Sequence, residues 1–158
     1  MKKQKSRVRV LSEAEAQKID VQTQYNTIAR AYAAAQEKAV RLHGDPARDF
    51  ISHAIGMIFN KVVLDLGCGH GKDLVYYLER GPQKLIGIDS SEKMVDLARM
   101  RVANPIDVML GCAERIPLPD ASVDIVTSRF VLHYVPNLDE AWEEIGRVIR
   151  PGGTLAYV

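Results

Sequence analysis

The 158-residue chain has only two cysteines, Cys68 and Cys112. That is too few for a secreted disulfide scaffold. With the strand order argued below, they fall at the ends of strands two places apart, roughly 10 Å and beyond disulfide reach. Both are expected to be reduced thiols in a cytoplasmic protein. Together with His70 or His133 they match no usual zinc spacing, so no metal site is expected. Charge of one sign is also missing: 21 Lys and Arg against 20 Asp and Glu leave +1. No global field draws such a chain to nucleic acid or a membrane surface. No apolar run approaches the ~20 residues of a membrane-spanning helix. The start is basic (Lys2, Lys3, Lys5, Arg7, Arg9) but has no apolar stretch behind it, so it is no secretory signal. Residues 1–12 read as a basic flexible tail, with RNA or partner docking as the alternative. Internal repeats and low-complexity runs are absent. What remains is ordinary globular composition, 47% apolar and 26% charged, enough for one domain around one core.

Two regions follow the tail. Residues 13–60 read as a helical cap. Within it, 13–40 carries Tyr25, Ile28, Ala29 and Tyr32 as one apolar stripe, and His43-Gly44-Asp45-Pro46 breaks the pattern. A second short helix is expected over 47–58, with Phe50, Ile51, Ala54, Ile55 and Ile58 apolar. From 61 to 158 strands and helices alternate. Strands are expected at 61–66, 84–89, 106–111, 123–128 and 154–158. Helices are expected at 71–80, 91–102 and 137–149, with Met94, Val95, Leu97 and Ala98 inward in the second. The third has a capping box, Asn137 with Glu140, and a stripe of Leu138, Ala141, Trp142, Ile145, Val148 and Ile149. Gly81-Pro82 closes the first helix, and Arg115 to Asp120 is irregular and proline-marked. Such alternation predicts an α/β fold, a Rossmann-like doubly wound parallel sheet covered on both faces. Ligands of these sheets sit outside the C-terminal strand ends, where the strand order reverses.

Val62 to Gly71 is the most informative stretch. A buried strand ends in Asp65, then Gly67, Gly69 and Gly71 follow at alternate positions before a helix. Glycines serve where the backbone turns sharply or approaches a ligand, and a helix start offers free N–H groups to an anion. Asp89 ends the next strand, 22 residues beyond Gly67, where a carboxylate can accept from both ribose hydroxyls. The plainer role for Asp89 is to cap the helix at 91–102, and the two roles are compatible. A nicotinamide dinucleotide site needs G-x-G-x-x-G, but residue 72 is lysine. A Tyr-x-x-x-Lys pair is missing as well. A Walker loop needs Gly-Lys-Ser/Thr, but Gly71-Lys72 precedes Asp73, which would repel phosphate.

Five segments remain: Asp65-Leu-Gly-Cys-Gly-His-Gly71; Gly87-Ile-Asp89-Ser-Ser-Glu-Lys-Met94; Gly111 to Asp120; Ser122 to Tyr134; and Arg147 to Gly153. Together they resemble the class I S-adenosylmethionine-dependent methyltransferases, in the small-molecule branch called type 11. The resemblance covers 61–158 in order, and 21–60 resembles the helical cap of many members. It implies a strand order of 3-2-1-4-5 and S-adenosyl-L-methionine as cofactor, leaving S-adenosyl-L-homocysteine as product. It implies that Gly67, Cys68, Gly69 and Gly71 carry the backbone to the methionine portion and ribose, and that Asp65 fixes this loop and the cofactor amine. Asp89 would hold the ribose, Ser90 and Met94 would flank the adenine, and Cys112, Ala113 and Glu114 would line its edge. Ser128 and Arg129 would lie near the methionine and sulfonium. Tyr25 and Tyr32 are expected to close the pocket from the cap.

Two departures stand out. Cys112 occupies a position where the family often has an adenine-binding Asp, and a thiol is a weak acceptor. The family sheet has seven strands, whereas this chain reaches only the fifth, so the core is expected to be incomplete, with Leu155 to Val158 on an open edge prone to self-association. The chain on its own is accordingly expected to be a weak catalyst. His133, after the fourth strand, is the candidate general base, with a packing or capping histidine as the alternative. His70 is expected to face solvent or the cofactor. The place after the fourth strand reads Ser128-Arg129-Phe130-Val131, not the Asn/Asp-Pro-Pro-Tyr turn of many base and glutamine methyltransferases. The absence of a basic stripe favours a small-molecule acceptor over nucleic acid. A non-catalytic cofactor-binding or partner subunit, and an RNA methyltransferase using the basic tail, are the other readings.

Overall fold

The computed structural model describes residues 12–102 and 106–158, so the expected tail lies outside the described residues except for Ser12. The cap is α1 (Glu13–His43) and α2 (Pro46–Ile55). The core is β1 (Val62–Leu66), α3 (Lys72–Leu78), β2 (Lys84–Asp89), α4 (Glu92–Arg101), β3 (Asp107–Leu110), β4 (Val123–Ser128), a 3-10 turn at Leu132–Tyr134, α5 (Leu138–Val148) and β5 (Ile149–Tyr157). The sheet runs β3-β2-β1-β4-β5 with every neighbouring pair parallel, as the alternating pattern predicts. The order reverses at β1, so β1 and β4 diverge into helices on opposite faces and leave a crevice at their C-terminal ends.

All five residues of β1 are buried, as a central strand covered on both faces requires. Alternate residues serve different layers. Leu64 and Leu66 pack with Ile86, Ile88, Val126 and the α5 residues Ala141, Ile145 and Val148. Val63 packs with Leu85, Ile125 and the α3 and α4 residues Leu74, Tyr77, Val95 and Ala98. Arg147 of α5 donates to the carbonyls of Ile116 and Leu118 and to Asp120, which pins the proline-marked segment to the sheet.

Several expectations need correction. α1 continues to His43, because Gly44 and not His43 takes the positive φ that ends it. α2 stops at Ile55, since Gly56 (φ 64°) leaves the helix; Ile58 is still buried, but as a loop residue. Ile28, Phe50, Leu138 and Trp142 are exposed, and Leu97 is only half-buried. A helix with one neighbour buries a narrow strip, so residues at the margin of an apolar stripe stay in solvent. β5 begins at Ile149, not 154. Val123 pairs with Ile149 and Ile125 with Thr154, so Pro151-Gly152-Gly153 is an irregularity inside the strand and not a turn before it. Gly153 has no room for a Cβ, which would lie 2.7 Å from the Asp124 carbonyl. β5 stands at the sheet edge, with Ala156 buried and Tyr157 and Val158 exposed. Cys68 and Cys112 are free thiols, and no described helix is long and apolar enough to cross a membrane.

Candidate functional site

The crevice opens where the sheet topology puts it. The loops after β1, β2, β3 and β4 line it, and α1 closes it from above. It encloses about 820 Å³ of empty space, open mouth included. The loop after β1 is tied down by the amides of Gly67 and Cys68, which both donate to the Ile88 carbonyl at 2.7 and 2.9 Å. Gly67 has φ 78°, and a Cβ there would overlap the Val131 side chain. At Gly69 (φ 52°) a Cβ would meet nothing within 4 Å, so open space lies over the loop there. Gly71 lets the start of α3 rest on Ala98 of α4.

Asp89 does not cap α4. Ser91 does, accepting from the Met94 amide at 3.2 Å. Asp89 instead accepts the Gly69 amide at 2.8 Å and the Ser91 amide at 2.9 Å, which joins the first two loops. Burial raises its carboxyl above the ordinary value against these bonds. A carboxylate oxygen accepts more than one bond, so Asp89 can still take hydroxyl donors from the crevice. Ser90, Met94, Gly111, Cys112, Ala113 and Glu114 continue the same wall. Lys18 of α1 reaches across to it, with Nζ 3.1 Å from the Cys112 Sγ and 3.4 Å from Glu114. Tyr25 is edge-on to Tyr32 (5.5 Å between centroids) and to Tyr134 (6.0 Å), and all three line the crevice. Burial raises the hydroxyl pKa of Tyr25 and of Tyr32.

An adjoining recess of about 410 Å³, open solvent included, lies between α1 and the glycine loop. Its walls include Asp65, Cys68, His70, Lys72, Asp73 and Arg129, and it shares Tyr32, Gly67, Gly69, Arg129 and Phe130 with the crevice. Asp65 is buried and accepts the Thr127 hydroxyl at 2.8 Å. Burial, reinforced by Asp73, pushes its carboxyl up to about 7. Burial also pushes the Cys68 thiol up and the His70 imidazole down. His70 is 3% exposed and so does not face solvent; its Nε2 is buried without a partner. Asp73 Oδ1 and Ser128 Oγ are also buried and unpartnered. Such atoms are costly to leave bare, and groups of this kind gather where a ligand is held.

Arg129 turns toward the cap, donating to Asp45 at 2.7 Å, and is paired with Asp73 at 2.7 Å. Lys72 also meets Asp45, at 2.6 Å. Burial acts to raise the Asp45 carboxyl, but the bonds from Lys72, Arg129 and the Arg48 amide together hold it below the ordinary value. The structure thus gathers Tyr25, Tyr32, Gly67, Gly69, Asp89, Ser90, Met94, Cys112, Ala113, Glu114 and Arg129 around the crevice, with Asp65 and Cys68 in the recess. Gly71 and Ser128 lie behind the walls. His133 stays outside both: it is exposed, its ring 4.0 Å from that of Tyr134. Lys18, Val21, Gln22 and Tyr134 were not expected in the lining, nor Asn26 and Asp45 as tethers. Carrying the helical stripe of Tyr25 and Tyr32 back by three and four residues at a time would have reached Val21, Gln22 and Lys18.

A twisted parallel sheet whose switch-point crevice joins a glycine loop to an acidic strand end defines a protein of the Rossmann-like, nucleoside-binding class. The methyltransferase domain family matches residues 64–157, and the chain belongs to this family of S-adenosylmethionine-dependent methyltransferases. An uncharacterised methyltransferase-like protein of Schizosaccharomyces pombe is 32% identical over 143 residues, which is 90% of this chain and 53% of that one. The malonyl-[acyl-carrier protein] O-methyltransferase of Serratia marcescens is 39% identical over 95 residues, 60% of this chain and 36% of that one. The chain thus spans about a third to a half of these relatives. Among solved structures, a candidate methyltransferase of Haloferax volcanii in complex with the Trm112 methyltransferase activator superimposes with TM-score 0.74 at 26% identity, covering 84% of this chain and 58% of that one. An S-adenosylmethionine-dependent methyltransferase from Aquifex aeolicus gives 0.65 at 27%, covering 76% and 70%.

Proposed function

We propose that the crevice binds S-adenosyl-L-methionine and that the protein moves its methyl group to a small organic acceptor by in-line displacement, leaving S-adenosyl-L-homocysteine. The observation that carries this reading is Asp89, a half-buried carboxylate at the end of β2 that lines the crevice and braces the glycine loop through the Gly69 amide. It would accept from both ribose hydroxyls. Ser90 and Met94 would flank the adenine, with Cys112, Ala113 and Glu114 along its edge. Gly67, Cys68, Gly69, Asp65 and Arg129 would surround the methionine portion, and the unpartnered His70 Nε2 and Asp73 Oδ1 in the recess suit a ligand with both a charged donor and a charged acceptor. The sulfonium supplies a methyl already activated for displacement. The protein's part is then to align the acceptor and keep water out. Tyr25, Tyr32, Phe130, Val131, Tyr134 and Val135 form an aromatic and apolar mouth for both tasks. This lining supports a small molecule over nucleic acid. His133, the candidate base, lies outside the lining.

A cofactor-binding chain that works with a second chain is the other reading. Its support is the Haloferax volcanii structural neighbour, which is held in complex with a methyltransferase activator. Calorimetric titration with S-adenosyl-L-methionine and S-adenosyl-L-homocysteine tests the ligand. Asp89→Ala is expected to weaken binding by ~1–3 kcal/mol, the scale of lost charge-assisted hydrogen bonds. Unchanged affinity in the variant, or no binding by the folded wild type, would overturn the assignment.

A further inference from the structure

The cap and the recess share one buried ionic network. Asp45, the N-cap of α2, gives one carboxylate oxygen to Lys72 at 2.6 Å and the other to Arg129 at 2.7 Å. Arg129 reaches on to Asp73. The side chains of Lys72 and Arg129 are 11% and 13% exposed, and those of Asp45 and Asp73 only 5% and 8%. Asp45 lines neither the crevice nor the recess, whereas Lys72, Asp73 and Arg129 line the recess. Asp45 therefore stands behind the two cations and does not occupy a ligand's place. Each cation keeps further N–H donors beyond those that Asp45 takes. The recess offers those donors beside Asp65 and Asp73, with Asp73 Oδ1 and His70 Nε2 buried and unpartnered. Adjacent cationic and anionic walls complement a zwitterion, an α-carboxylate next to an α-ammonium.

We infer that Asp45 is a positioning residue: from the cap it holds Lys72 and Arg129 in the orientation that lets the recess take the amino-acid half of the cofactor. This rests on the reading of the crevice given above. Without the Asp45 carboxylate the two cations lose their shared partner, and Asp73 and Asp65 are the carboxyl groups left beside them in the recess wall. Collapse onto those carboxylates consumes the donors for the ligand's carboxylate and the acceptors for its ammonium together. A buried network with one member removed leaves its other charges uncompensated. Among the described residues the adenosine wall, made by the loops after β2 and β3, shares no hydrogen bond or ion pair with this network and is expected to be indifferent to it.

Two probes separate the halves of the ligand. S-adenosyl-L-homocysteine carries both, whereas 5′-methylthioadenosine lacks the amino-acid end. Titrations would compare wild type, Asp45→Asn and Asp45→Ala, with urea unfolding to show that each variant is folded. The expected result is a loss of about tenfold or more for S-adenosyl-L-homocysteine, as charge-assisted bonds are lost, with 5′-methylthioadenosine changed less than about twofold. Equal losses for both probes would assign Asp45 a structural role only and overturn the inference. So would equal retention, or tighter binding of S-adenosyl-L-homocysteine, which would make Asp45 a competitor. Failure of wild type to bind either probe would instead sink the reading of the crevice.

Discussion

The two walls of the crevice are built by different means. On the sheet side, Gly67, Cys68 and Gly69 are held by backbone and carboxylate bonds to β2, and the rim sits on a core in which Leu64, Leu66 and Ile88 are fully or almost fully buried. On the cap side, α1 meets the core mainly through side chains. Asn26 accepts from the Ser91 hydroxyl at 2.7 Å and the Lys93 amide at 3.2 Å, Lys18 reaches Cys112 and Glu114, Arg101 pairs with Glu37, and Asp45 joins Lys72 and Arg129. Of α1, only Ala29 among the described apolar residues is fully buried. Hydrophobic burial scales with area, and polar tethers contribute less net stability each. The sheet side is thus expected to open only with global unfolding, and the cap to open locally at lower free energy.

The strongest way to break the sheet side is Leu64→Ala. Leu64 is 0% exposed in the central strand, and its truncation is expected to destabilise the whole protein by about 2–5 kcal/mol in urea unfolding. A loss below about 1 kcal/mol would mean that the layer around α5 is not the cooperative core. Next comes pH. The folded Asp65 carboxyl lies at about 7 against an ordinary 3.8, so between these values the native state holds a proton that the unfolded chain has released. Its contribution is fully present below about pH 4 and lost as pH rises through about 7. Asp65→Asn cannot ionise, so its stability relative to wild type is expected to improve from pH 5 to pH 8, by at most a few kcal/mol. A flat or falling difference would show that Asp65 is ionised throughout. The smallest effect, and the sharpest for the comparison, is Asn26→Ala. It is expected to cost about 1 kcal/mol, seen as faster hydrogen exchange in α1 with strand amides unchanged. Equal acceleration in the strands would make cap and core a single unit.

These two regions also differed in how far they could be read in advance. The alternation of apolar runs, glycine turns and helical stripes located the five strands, because buried parallel strands are continuous apolar runs, and the family resemblance supplied their order. The carbonyl and carboxylate bonds that join the loops after β1 and β2 follow from that order. The cap was legible only as helices. Its exposed Ile28 and Phe50 look like core residues by type, and Asp45 reads only as part of the break between two helices, although it caps α2.

By itself, then, the amino-acid sequence determined the layers and the strand ends where the crevice lies, since both rest on local periodicity and chain chirality, and its family motifs carried the strand order. The partners of Lys72, Asp73 and Arg129, the outward position of His133 and the burial of His70 were decided by the tertiary structure alone. Charged and polar side chains carry no periodic signal for their partners. Asp45 and Arg129 are 84 residues apart in the chain, and only the packing of the cap on the sheet brings them within hydrogen-bonding distance.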